Sequence, residues 1–415
     1  MTFLISFLAL IVLMMAAPYI LRFAKTSRAP VPATIFVAHW IEVWTLRLQF
    51  RRYRHLHQDP HDTVMTVLEW IVFGFLSLCR AVSPMAYDVV NDFTIGGKHT
   101  QIWLVNFNIW HFIIPGFTRY IIWKMLRTVH DAKRKGVRFV GLGALLKDRG
   151  LTDDGMYFAD ALGMDRPFLA HGDTLTAQTV FLQALALAGK LGTKRVFITG
   201  ATSKIGRAIA IRLAESGFTV FLYSEGKRAK DGTDGQARVN AIMDEAGEYA
   251  CNMVYAPGMD MAGSCGLIIT GKRTGGQTLL NLAQPRTAFL NFSVPDPLTP
   301  ELLCGRPLYH YDGGLLDYSA IPSTLTFAMR LIAGQVTYAC HAWLLVCAMK
   351  GWTDRDELGP VKISDMSEFW TAAEECGFKL PEGTSFLHPM ALPEKGAAIP
   401  GYSTPPPRRR RKEAI

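Results

Sequence analysis

Residues 194–223 read KRVFITGATSKIGRAIAIRLAESGFTVFLY. Lys194–Thr199 is a strand by its β-branched and aromatic run, Gly200–Gly206 a turn, Arg207–Ser216 an apolar-periodic helix stopped by Gly217, and Phe218–Tyr223 the next strand. A strand, glycine turn and helix in this order can set backbone N–H groups and the positive end of the helix against a pyrophosphate. In the short-chain dehydrogenase fingerprint, which TGATSKIGRAIA resembles, glycines stand where this chain has Gly200, Lys204 and Gly206. A side chain at the middle position either blocks the close approach that glycine permits or lends its ammonium to a phosphate. The candidate cofactor-binding residues are Gly200, Ala201, Thr202, Ser203, Lys204, Ile205 and Gly206. Lys227 and Arg228, with Ser224, follow the second strand, where a 2′-phosphate would sit, so any dinucleotide bound is expected to be NADP.

Outward from this unit the same alternation continues. Val137–Leu142 (VRFVGL) reads as a strand after a helix over Tyr120–Lys135, and Leu175–Lys190 as a helix of apolar period. Asn252–Ala256, Gly266–Thr270 and Thr287–Phe292 are short apolar runs bounded by Gly, Pro or Asp, which brings the strands to at least six. Ser323–Met349 reads as one long apolar helix. The expected fold is α/β, a Rossmann-like doubly wound parallel sheet over 131–365, preceded by a membrane-associated helical region over 1–130 and followed over 366–415 by an extension with a disordered basic tail.

Charge separates the N-terminal region from the rest. The chain of 415 residues carries a net charge of +9, yet residues 1–135 hold 15 Lys and Arg against 7 Asp and Glu, and the tail Arg408–Glu413 adds four more positive charges. The α/β body is therefore slightly acidic, which excludes the basic stripe of a nucleic-acid-binding fold and points to anionic lipid as the partner of the basic segments. Thr2–Leu21 runs 20 residues without a charge, long enough for one membrane span, with Arg22, Lys25 and Arg28 behind it on the cytoplasmic side. Ala33–Phe50 reads as an amphipathic helix. Thr63–Val82 and Ile102–Trp123 are apolar but interrupted by charges; the second has the aromatic composition of an interfacial segment, and over 33–123 membrane contact and buried helices of a globular domain fit equally. The bulk of the chain is expected in the cytoplasm on an intracellular membrane such as the endoplasmic reticulum, bound to membrane lipids and to a membrane enzyme or complex.

Catalytic signatures are sparse. The seven cysteines form no CxxC pair, and the histidines of His55-Leu56-His57-Gln58-Asp59-Pro60-His61 are split by a helix-breaking proline, so no metal is expected. A short-chain dehydrogenase needs a Tyr with a Lys four residues on, downstream of the glycine turn. Tyr120–Lys124 lies before the turn and Tyr223–Lys227 at the end of the second strand, so both are misplaced and no catalytic residue is assigned. No GxSxG elbow is present.

Five stretches carry a family resemblance: IIPGFTRY (113–120), DAKRKGVRFVGLGALL (131–146) with Leu151 and Gly155, GDTLTAQTVFLQ (172–183), the glycine turn itself, and AWLLVCAMKGWTDRDELG (342–359). With Gln277, Ala283, Thr287 and Phe292 they make the chain from about Trp110 to Val361 resemble the C-terminal half of the plant ECERIFERUM cuticular-wax family, the very-long-chain aldehyde decarbonylases and their reductase-like partners. That family carries a Lys before an apolar residue in its turn, as Lys204 does here. It has a His at the position of Cys347 and His-Glu-Cys-Gly at Asp356–Gly359, where this chain departs. Its N-terminal half holds a di-iron centre in histidine boxes, of which only the spacing His57–His61 occurs here. The resemblance implies lipid metabolism, with NAD(P)-dependent reduction of a long-chain acyl or aldehyde substrate as one outcome and a non-catalytic partner subunit of a membrane enzyme as the other. It does not imply di-iron decarbonylation.

Overall fold

In the computed structural model the described residues are 31–40, 67–108, 111–112, 114–224, 232–272, 275–294, 296–328, 335–386, 388–390 and 392–393. They form two compact units: one of residues 1–172, 321–331 and 343–359, the other of residues 173–320, 332–342 and 360–415.

The second unit is built on the quoted stretch. Strands β6 (Arg195–Thr199), β7 (Thr219–Tyr223), β8 (Met253–Ala256), β9 (Leu267–Thr270), β10 (Ala288–Asn291) and β11 (Tyr309–Asp312) lie in the order β8-β7-β6-β9-β10-β11. Every neighbouring pair is parallel. Numbered along the chain this is 3-2-1-4-5-6, the order of dinucleotide-binding sheets, with its reversal between β6 and β9. Alternation along the strands sends Val196 and Ile198 to one face, where helices α3 (Asp173–Leu191), α4 (Lys204–Glu215) and α5 (Gly235–Ala246) cover them. It sends Phe197 to the other, under α6 (Gly276–Leu282). Helices on both faces make the sheet doubly wound, as expected. The sixth strand differs from the sequence reading. It is Tyr309–Asp312, which lies just past the proline-rich segment, while Val137–Leu142 yields β4 (Phe139–Leu142) of the other unit.

In its described residues the first unit corrects the expectation of membrane helices over 1–130. Thr34–His39 is strand β1 rather than the start of an amphipathic helix, and β2 (Tyr87–Ile95) and β3 (Lys98–Val105) form a hairpin through Gly96-Gly97. The sheet runs β13-β2-β3-β1-β4-β5, with β5 at Phe168–Ala170 and β13 at Ser323–Ala328, and β3, β1, β4 and β5 mutually parallel. A strand buried on both faces is apolar at every position, so hydropathy alone confuses it with a membrane segment; the β-branched and aromatic content of TIFV decides for a strand. Among the described residues no helix is long and apolar enough to cross a membrane. The helix within Thr63–Val82 is the 16-residue α1 (Val67–Val82), and half of Ile102–Trp123 is divided between β3 and the start of α2 (Phe117–Arg134). Thr2–Leu21 and His55–His61 lie outside the described residues. The single helix expected over Ser323–Met349 resolves into β13, β14 (Val336–Tyr338) and α7 (Ala339–Lys350), because STLTFA alternates with the period of a strand.

Candidate functional site

The carboxyl end of β6 is where the sheet order reverses, the place where open parallel sheets receive their ligands. The chain leaves β6 through Gly200 at φ 69°, a conformation that side chains resist. The Ser203 N–H donates to the Gly200 carbonyl at 2.9 Å, and Ser203 Oγ accepts from the Gly206 N–H at 3.1 Å, which caps α4. A Cβ on Gly206 would collide with the Gly200 carbonyl oxygen, so helix and turn approach as closely as backbone allows. Next door, the Gly271 N–H after β9 donates to Thr199 O and Oγ1, both at 3.1 Å. The Lys272 stem lies so near Gly200 that a Cβ there would stand 2.9 Å from it. Gly200–Ser203 thus form the turn, and Lys204–Gly206, expected within it, are already the first residues of α4. Lys227 and Arg228 lie outside the described residues, and Ser224, buried, accepts from Arg238 at 3.2 Å.

The side chain of Lys204 is engaged within the protein. Its ammonium pairs with Asp173 Oδ2 at 2.8 Å, and the Asp173 side chain is wholly buried at the first turn of α3. The positive charge at the middle glycine position is therefore balanced by a carboxylate, and the pair fastens the start of α4 to the start of α3. Sequence reading passed over Asp173, although it stands in the GDTLTAQ block; nothing in a linear motif signals a partner 31 positions away.

Tyr120, Lys124 and Tyr223 all have structural employment. Tyr120 Oη donates to Val82 O and Ser83 O at 3.1 and 2.9 Å, and Lys124 Nζ donates to Arg80 O at 2.7 Å, so the pair on α2 caps the carboxyl end of α1. Burial pushes the Lys124 ammonium down to about 7, against the opposing pull of Asp88. Burial likewise holds His39 at about 4, and His111, with Lys124 adding to the effect, at about 4. Tyr223 closes β7 with its ring stacked on Phe197 at 6.0 Å.

The closing motif is a clasp within the first unit. Asp356 Oδ1 accepts from the Leu169 N–H at 2.8 Å and Glu357 Oε2 from the Gly172 N–H at 2.9 Å, while His171 contacts Gly359 O at 2.9 Å. On α1, Ile71, Phe75, Leu78 and Val82 are exposed at helical spacing, between 42 and 64 %, an apolar stripe on a helix whose carboxyl end meets Tyr120. A surface groove of about 810 Å³ beside Gly192, Cys265 and Arg286 opens at the amino end of the second unit's sheet, the opposite end from the turn.

Fold and turn define a parallel α/β protein with a dinucleotide-type switch point. No protein-family model matches the chain. It is 28 % identical over 371 residues, 86 % of its length, to the very-long-chain aldehyde decarbonylase GL1-1 of Oryza sativa subsp. indica. To GL1-2 of subsp. japonica it is 26 % identical over 353 residues, 83 % of its length. The chain spans about half of these relatives, 55 and 52 %. These likenesses agree with the wax-family resemblance and with lipid metabolism in a broad sense. Among solved structures, ornithine transcarbamoylase from Giardia lamblia aligns over 72 % of this chain and 81 % of its own at 12 % identity and a TM-score of 0.29.

Proposed function

We propose that this chain is an NADP-binding protein of very-long-chain lipid metabolism, handling a long-chain acyl or aldehyde substrate at a membrane surface. The observation that carries the nucleotide reading is the backbone cradle at Gly200–Gly206, set at the reversal of a 3-2-1-4-5-6 sheet and too tight for a Cβ at residue 206. That cradle fits a pyrophosphate: the turn and the first turn of α4 supply N–H groups, and Ser203 fixes their direction. Lys204 stabilises the cradle through Asp173 rather than reaching outward, and Lys227 and Arg228 are assigned to the 2′-phosphate. A bound nicotinamide would supply the hydride for reducing the substrate carbonyl. The substrate class rests on the similarity to very-long-chain aldehyde decarbonylases. The apolar stripe of α1 supports contact with a bilayer, in which such substrates dissolve.

A second reading, a non-catalytic partner of a membrane enzyme, is favoured by one observation. The Tyr120–Lys124 pair, with the right spacing for dehydrogenase chemistry, is spent on capping α1. NADPH oxidation by the purified chain with a long-chain aldehyde or acyl thioester separates the two. Turnover that disappears in G206A supports the reductase; tight NADPH binding without turnover on any chain length supports the partner. Failure of NADPH and NADH to bind at millimolar concentration would end the nucleotide reading itself.

A further inference from the structure

Away from the glycine turn, at the far edge of the second unit's sheet, three residues with metal-ligating side chains converge. One ligand atom each from Asp296, His310 and Asp312 lies within 4.8 Å of the others. We propose that they bind a single divalent transition-metal ion. Each ligand is aimed by a neighbour. Asp296 Oδ1 accepts from the Leu298 N–H at 2.8 Å while its Oδ2 faces His310 Nε2 at 2.9 Å. Asp312, the last residue of β11, has Oδ1 held by the Phe386 N–H at 3.1 Å. His310 is fully buried, with Nδ1 3.0 Å from Ser385 Oγ and its ring stacked on Phe386 at 4.1 Å and 6°. Phe386 adopts φ 51°, unusual for a side chain of its size, and so presents both ring and N–H to the cluster.

This is the outer-shell order that a metal-bound imidazole requires: one nitrogen turned to the ion, the other donating its proton to an oxygen, and the carboxylates hydrogen-bonded in place. When the ion binds, the Nδ1–H tautomer donates to Ser385 and Nε2 loses its proton contact with Asp296. One imidazole and two carboxylates select Zn²⁺, Mn²⁺ or Fe²⁺ over Ca²⁺ and Mg²⁺, and three protein ligands leave a coordination position for water or a substrate oxygen. The ion would also balance two carboxylates set beside a buried ring. The sequence showed only His310-x-Asp312, too short a pattern to raise the idea.

The test is calorimetric titration of the chelator-stripped full chain with Zn²⁺ and with Mn²⁺, alongside D296N, D312N and S385A. Expected are one site per chain, its loss in D296N and D312N, a roughly 10- to 100-fold weaker site in S385A, and far-UV dichroism of the metal-free variants like that of the parent. Asp296 and Ser385 carry the test if D312N fails to fold, since neither lies in β11. No binding at millimolar metal overturns the proposal. So does one-site binding that survives both D296N and S385A, which would put the ion on other ligands such as His55, His57 and His61.

Discussion

The two units share an architecture of parallel strands yet finish their first strands in opposite ways. In the second, β6 ends in a glycine turn with the backbone presented and α4 opening from it. In the first, β1 ends on His39 and Trp40, both buried, with His39 Nδ1 on the Trp40 carbonyl at 2.7 Å and Trp40 Nε1 donating to Asn106 at 3.3 Å. Beside that end Lys124, Tyr120, His111 and Ser77 fasten helices and loops to one another. The same parallel geometry thus leads into an exposed backbone turn in one unit, and in the other into a polar network that holds the fold. What differs is whether the strand runs into glycine or into side chains.

The comparison breaks first at Lys204. Replacing it with Met leaves Asp173 buried without its cation, a loss of about 3–5 kcal/mol, measurable by urea denaturation. Adding D173N should recover much of it, while NADPH affinity in the double variant stays close to the parent's. A double variant that folds well but no longer binds would return Lys204 to the phosphates. In the first unit, K124A removes a buried cap and leaves a cavity, which should cost about 2–4 kcal/mol without changing nucleotide affinity; a parallel loss of affinity would mean that the two regions are not independent.

The most gradual effect is the response to acid, which is spread over several pH units. His39 and His111 are held near 4 when folded, below the 6.5 of a free imidazole, so the unfolded chain takes up protons first as pH falls. Their stabilisation is complete above 6.5, shrinks between 6.5 and 4 by up to about 1.4 kcal/mol per pH unit for each group, and is gone below 4. Lys124, near 7 rather than 10.5, adds stability as pH rises between those values. Denaturation midpoints across pH 4–10 check both signs, and H111Q should flatten part of the acid limb.

The second unit was legible because its strands, turn and helices are each local: β6 through β7 can be read from 30 consecutive residues with no knowledge of what they pack against. The first unit was misread because β1 and the end of β3, Trp103–Val105, are buried on both faces, and burial in protein and burial in lipid select the same apolar residues. Candidate site residues divide the same way. Gly200, Ser203 and Gly206 announce themselves by spacing along one turn. Asp173 and the cluster of Asp296, His310 and Asp312 exist only once distant segments meet. The Tyr120–Lys124 pair shows the converse hazard, since a motif with the right spacing turned out to bind helix carbonyls.

The central claim is that the Gly200–Gly206 turn holds a dinucleotide, and titration calorimetry of the purified full chain with NADPH, beside G206A, tests it most directly. Expected are micromolar binding to the parent, with NADPH preferred over NADH, and a loss of at least about 100-fold in G206A, equivalent to about 2.7 kcal/mol, as the added Cβ forces turn and helix apart. Equal affinity in parent and variant, with the variant folded, would contradict it.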